Sequence, residues 1–209
     1  VGSEMCIRDR MNTRERILQS TLELASEVGM GNVSLQKIAD RVGVRKATLF
    51  SHYKSKDEIF TELYVYLREN ISQKHQAESF DYTEFVQNKT ATEILTEVVC
   101  GYKRMNETGD LAIFYKFISS ERVLNPMAAK IMIAETETML KRTRELLSVM
   151  QENELLAFPV FKTAVTSFCL TIHSLLDLAF DYTSIGESVK AEEMIEEYIK
   201  NFCQEYAPN

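Results

Sequence analysis

Residues 34–59 read SLQKIADRVGVRKATLFSHYKSKDEI, and the punctuation of this stretch decides the fold. Ser34 is a helix-capping residue, and Leu35, Ile38, Ala39 and Val42 fall on one face of a short helix behind it. Gly43, free to take a positive φ, stops that helix within three turns. A second short helix fits Arg45 to Tyr53, with Val44 and Leu49 turned inward to hold the pair at an angle. Ser55-Lys-Asp-Glu58 has capping-box spacing and opens a longer helix through Ile59, Phe60, Leu63, Tyr64 and Leu67. Two short helices around a tight glycine turn predict a helix-turn-helix unit. The brace is Ser34 to Arg41, the reversal Val42-Gly43-Val44, and the probe Arg45 to Tyr53. Lys46, Ala47, Thr48 and Ser51 are left facing outward, where base edges would be met.

Working outward, Asn12-Thr-Arg-Glu15 is a second capping box, followed by Ile17, Leu18, Thr21, Leu22, Leu24, Ala25 and Val28 at a 3.6-residue period. Gly29 and Gly31 end that helix. Downstream, helices are predicted over 92–107, 111–123, from Asn125-Pro126 to about 151, over 161–182, and over 187–206. With 7 Gly and 3 Pro in 209 residues, the chain suits long helices. The expected fold is all-α, with about nine helices: a three-helix head and a helical body. The expected division is 11–57 for the head and 58–209 for the body. Residues 1–10 are set aside: Glu4 to Arg10, EMCIRDR, resembles one translated frame of a transposon-end sequencing adapter, which makes Met11 the expected natural start.

The net charge of −7 argues against a general nucleic-acid binder, but its distribution does not. From Ser34 to Lys56 six basic residues (Lys37, Arg41, Arg45, Lys46, Lys54, Lys56) face one acidic residue, Asp40. From Thr61 onward 14 basic residues face 23 acidic ones, so a basic patch sits on an acidic body. Cys100, Cys169 and Cys203 lack disulfide or zinc spacing and read as buried free thiols. His173 and Asp177, one helical turn apart, read as a structural pair, and neither a metal nor a cofactor is expected. No signal-peptide pattern and no uninterrupted apolar run near 20 residues is found, so the expectation is a cytoplasmic protein without a membrane. GxSxG, P-loop, GxGxxG and HExxH patterns are absent, so an enzyme is not expected.

The run from Ser34 to Ile59 resembles the DNA-binding domain of the TetR family of bacterial transcriptional regulators, most specifically at Thr48-Leu49-Phe50-x-His52-Tyr53-x-Ser55-Lys56-Asp57-Glu58. The resemblance covers roughly Asn12 to Leu63. It implies that Lys46, Ala47 and Thr48 sit in the major groove and that Gln36 also reaches bases. It implies that Ser34, Phe50, His52, Tyr53 and Lys56 approach the phosphate backbone. Two positions depart from the family pattern: Arg45 begins the probe where a small capping side chain is common, trading a cap for a phosphate contact, and Phe50 replaces the more usual tyrosine.

The resemblance further implies a homodimer on a palindromic double-stranded operator, most often a repressor released by a small-molecule effector. Tyr102, Met105, Phe114, Phe117 and Phe168 are candidates for lining an effector pocket, and each also fits as plain core. The last two helices are the expected dimer seam, through Leu175, Leu176, Ile195 and Ile199; a charge at Leu175 or Leu176 should give monomers. Effector binding between the middle helices would move the fourth helix and change the distance between probes. A body that binds a protein partner instead is the alternative.

Overall fold

A computed structural model of the chain describes residues 12–74, 80–107 and 109–208. Residues 1–10, set aside above, and Met11 lie outside them. Among the described residues there are ten α-helices and no strand. They are α1 Thr13–Val28, α2 Leu35–Val42, α3 Lys46–His52, α4 Lys56–Lys74, α5 Tyr82–Phe85, α6 Ala91–Glu107, α7 Gly109–Glu121, α8 Pro126–Glu152, α9 Phe161–Ser184 and α10 Ser188–Glu205. A single 3₁₀ turn, Met30–Asn32, follows α1.

Boundaries fall where caps and glycines put them. Asn12 accepts from the Glu15 amide at 3.0 Å, and its own amide donates to the Glu15 carboxylate at 3.0 Å. Ser34 accepts from the Lys37 amide at 3.2 Å. Ser55 accepts from the Glu58 amide at 3.1 Å, while the Glu58 carboxylate reaches the amide of Lys54 at 2.7 Å. Gly43 adopts φ 77°, ψ 34°, and its amide closes α2 on Ala39. A Cβ built there meets nothing within 4 Å, so the requirement is one of backbone alone. Gly43→Ala is therefore expected to cost about 1–2 kcal/mol, from forcing an L-residue into the left-handed region. A thermal midpoint unchanged from wild type would contradict this.

The chain packs as two compact units, one of residues before 78 with 106–133, the other of 78–105 with 134–209. In the first, α1 packs on α2, α4 and α7, and α4 also packs on α7. Its interior holds Ile17, Leu18, Ile38, Leu49, Tyr53, Ile59, Phe60, Leu63 and Phe114, all under 3% exposed, with Tyr64 stacked on Phe114 at 6.0 Å. In the second, α9 lies along α10, and Phe168 meets Phe202 at 4.8 Å. Ile94, Leu95, Val99, Leu147, Met150, Ala164 and Ile199 complete that core.

Several details differ from expectation. The short helix α5 was not foreseen; Asp81 caps it by accepting from Thr83 and Glu84 amides. Cys169 and Cys203 are buried, and burial pushes both thiols up, but Cys100 is exposed. Position 100 sits a third of a turn off the Leu95–Val99 stripe, on the water face of α6. Over 18 residues α9 reaches a mean hydropathy of 1.4, enough by length and composition to cross a bilayer. Part of its apolar surface, including Phe168 and Ile172, is engaged in the second core, where α9 packs on α10.

Candidate nucleic-acid interface

The head is built so that α3 is held from behind and free in front. Of its seven residues only Leu49 is buried, and Tyr53, the residue at its C-terminal end, is fully buried. Lys46, Ala47, Thr48, Phe50 and Ser51 are exposed. At helical spacing Ala47 and Ser51 lie opposite Leu49, while Lys46 and Phe50, one turn apart, share an exposed flank. Lys46 Nζ lies 5.8 Å from the Phe50 ring centroid, so the ring steers the ammonium along this face. Phe50 is 45% exposed, a large apolar ring left on the surface of α3.

The remaining predicted DNA-facing residues are placed as follows. Ser34 and Gln36 are exposed at the start of α2, the Gln36 amide donating to Asp40 at 2.8 Å. Arg45 is exposed at the N-cap of α3 and makes no side-chain cap bond there. His52 and Lys56 are half-buried. Tyr53 points inward: its hydroxyl donates to Glu62 Oε1 at 3.0 Å and accepts from Arg14 Nε at 3.2 Å.

The cations of the basic patch divide into two groups. Arg41 is clamped by Glu27 at 2.6 Å and Glu23 at 3.7 Å, a pairing that raises its pKa and lowers that of Glu27. Lys37 donates to the Asn32 carbonyl at 2.9 Å, and Arg16 to the Val42 carbonyl at 2.7 Å, bracing the turn. Among the described residues Arg45, Lys46 and Lys54 make no ion pair within the chain. These three cations, with the outward face of α3, form a surface that can meet phosphates and base edges.

Residues 17–63 match the family model described as "Bacterial regulatory proteins, tetR family". That stretch is a TetR-type DNA-binding head. A stretch of 66 residues of the chain is 32% identical to the HTH-type transcriptional regulator AcrR of Shigella flexneri, covering 32% of this chain and 31% of that protein. It is 36% identical over 63 residues to the nucleoid occlusion factor SlmA of Vibrio cholerae, covering 30% and 32%. The matched stretch thus spans about a third of the curated relatives' length. Among solved structures, a TetR transcription regulator from Haloarcula marismortui superposes with a TM-score of 0.66 at 16% identity, over 93% of this chain and 97% of that one. At that identity the likeness is one of fold. Among the described residues no three His, Cys, Asp or Glu side chains gather in a group that could hold a metal ion.

The residues expected to line an effector pocket or a dimer seam in the body separate. Phe114 is fully buried in the first unit, and Phe168 is buried in the second against Phe202 and Tyr198. Tyr102 and Met105 are half-buried in the second unit, where the Tyr102 hydroxyl contacts Met139 Sδ at 3.0 Å and Glu135 Oε1 at 3.4 Å. The side chain of Phe117 lies outside the described residues. Ile195 and Ile199 are buried within the chain where α10 meets α9, and Leu175 and Leu176 are half-buried against the same core. An open groove of about 600 Å³ runs along α4 beside Glu58, Thr61, Glu62, Val65 and Tyr66.

Sequence reasoning missed the Arg14–Tyr53–Glu62 cluster. Arg14 also grips Glu62 through Nε and a terminal nitrogen, and its guanidinium carbon lies 5.1 Å from the Tyr53 ring centroid. The Arg14 hydrogen bonds hold the Glu62 carboxyl below the usual carboxylate range, and burial pushes the Tyr53 hydroxyl up.

Proposed function

We propose that this TetR-family chain is a cytoplasmic, homodimeric transcriptional regulator that binds a palindromic double-stranded operator and is released from it by a small-molecule effector. The observation that carries the reading is the face of α3: Lys46, Ala47, Thr48 and Phe50 exposed together, with Leu49 and Tyr53 buried behind. Residues 11–57 act as the head, with Ser34, Gln36, Arg45, His52 and Lys56 flanking the groove-reading side chains. Residues 58–209 act as the body that binds effector and partner subunit. One probe reads too few base pairs to single out an operator, so two are needed. The body's effector is expected to be apolar or aromatic, from the Phe and Met residues lining its helices.

The test is selection from a randomised duplex pool. A dimer with this role enriches a palindrome, and salt weakens the binding. A folded dimer that enriches nothing would defeat the reading.

A body that binds a protein rather than a small molecule is the second reading. The match of the head to SlmA, a protein named as a nucleoid occlusion factor, favours it, as do Val123 and Leu124, which are 84% and 89% exposed between α7 and α8. Val123→Ser with Leu124→Ser separates the two: release by small molecules should be unchanged, and loss of a protein partner's binding would favour the second.

A further inference from the structure

We propose that Arg14 and Glu62 are positioning residues for operator reading: acting through Tyr53, they fix the orientation of α3. The inference rests on the reading that α3 meets the operator. Seven residues without a side-chain N-cap make a helix too short to hold itself. The orientation of α3 is therefore set by its anchors, Leu49 at its middle and Tyr53 at its end, both fully buried. Leu49 is apolar and can pivot in its pocket without losing a directional bond. Tyr53 cannot, because its hydroxyl bonds Glu62 of α4 at 3.0 Å and Arg14 of α1 at 3.2 Å. Arg14 closes the triangle on both Glu62 oxygens and lies against the Tyr53 ring. Three helices thus meet at one hydroxyl, through Arg14 of α1, Tyr53 at the end of α3 and Glu62 of α4. A planar guanidinium donating two bonds to one carboxylate fixes an angle as well as a distance. Any displacement of α4 along its axis moves Glu62 and, with it, the end of α3.

A rival role for Arg14, whose side chain is 52% exposed, is direct contact with phosphate. Glu62 discriminates between the two. A carboxylate near DNA repels it, so Glu62→Gln should strengthen binding on electrostatic grounds alone and weaken it if Glu62 positions α3.

The full-length protein is titrated by fluorescence anisotropy with the palindrome selected above and with a scrambled duplex. Arg14→Gln, Glu62→Gln and Tyr53→Phe are each expected to weaken operator binding about tenfold, the scale of lost hydrogen bonds to charged groups. Scrambled-duplex binding should stay within about twofold, because it reads charge and not the angle of α3. The double variant Arg14→Gln/Glu62→Gln should be no weaker than the worse single variant, and Arg14→Lys should recover part of the loss. Tyr53→Phe keeps the buried ring, so it decides the matter should either charged-residue variant fail to fold. Operator binding unchanged or tightened in Glu62→Gln would overturn the proposal. So would an Arg14→Gln loss that is equal on both duplexes. A wild-type protein that selects no palindrome would instead overturn the operator reading itself.

Discussion

Lys46→Ala is expected to abolish most of the discrimination between operator and scrambled duplex. A good side-chain contact to a base edge is worth about 1–3 kcal/mol. In a dimer the loss occurs in both half-sites, about 2–6 kcal/mol, so operator binding falls about 30-fold or more. Thr48→Ala should act in the same direction with a smaller effect, since a hydroxyl gives one bond where Lys46 adds a charge. Neither residue is needed for packing: both are exposed and α3 is held by Leu49 and Tyr53, so the thermal midpoint should not move. The salt dependence separates roles further. Arg45→Ala should lower the slope of log K against log salt by about 0.9 per half-site, as expected for a lost phosphate contact. Arg41→Ala should leave the slope alone and lower stability, because Glu23 and Glu27 already hold that guanidinium. An Arg41→Ala slope change as large as that of Arg45→Ala would reverse the assignment of the two arginines. Binding by Lys46→Ala that equals wild type would remove α3 from the groove.

The head is legible in the sequence because each of its boundaries is written in a residue that can do little else. Asn12 with Glu15, Ser34, Gly43, and Ser55 with Glu58 are caps whose spacing is local, and local rules suffice to find them. Thr90 and Glu93, which cap α6 reciprocally, follow the same local rule. Helix α5, Tyr82–Phe85, is one turn long and shows no period; its signal is Asp81 alone. The Arg14–Tyr53–Glu62 cluster is out of reach for a different reason. Its members are 39 and 9 residues apart, and nothing local marks Glu62 as turned toward Arg14 and not toward water. The body shows the same limit on a larger scale. Phe114 and Phe168 are read from sequence as pocket candidates that also fit as core, and both are buried, but nothing in the sequence says that they belong to different units. The packing of α7 with the head helices likewise follows from tertiary fit: a helix of 13 residues in which Ala112, Phe114 and Ile118 are buried has no sequence label for the core it joins.

A negative charge at Leu170 is expected to convert the proposed dimer to a monomer without unfolding the subunit. The reasoning starts from what α9 and α10 do inside one chain. Ile195, Ile199 and Phe202 are spent on holding α10 against α9, and Leu175 and Leu176 are half-buried on the same core. A charge at either leucine would disturb that core as well as any seam, so monomers produced there come with a lowered unfolding midpoint. Leu170, at 42% exposure on the outer face of α9, faces water in the isolated chain, as do Phe180 at 43% and Met194 at 41%. Exposed apolar side chains on long helices favour burial against a second copy, each contributing about 1.5–3 kcal/mol when fully covered. Leu170→Glu should therefore shift equilibrium sedimentation from about 48 kDa, twice the 24.1 kDa chain, to a single chain mass, with the midpoint of unfolding of the folded subunit retained. Operator binding should fall with it toward the non-specific range, Kd of about 10⁻⁴–10⁻⁶ M, because one probe is left to do the reading. A Leu170→Glu protein that sediments as a dimer would exclude the outer face of α9 from the seam. A monomer that kept full operator affinity would break the link between dimerisation and palindrome reading.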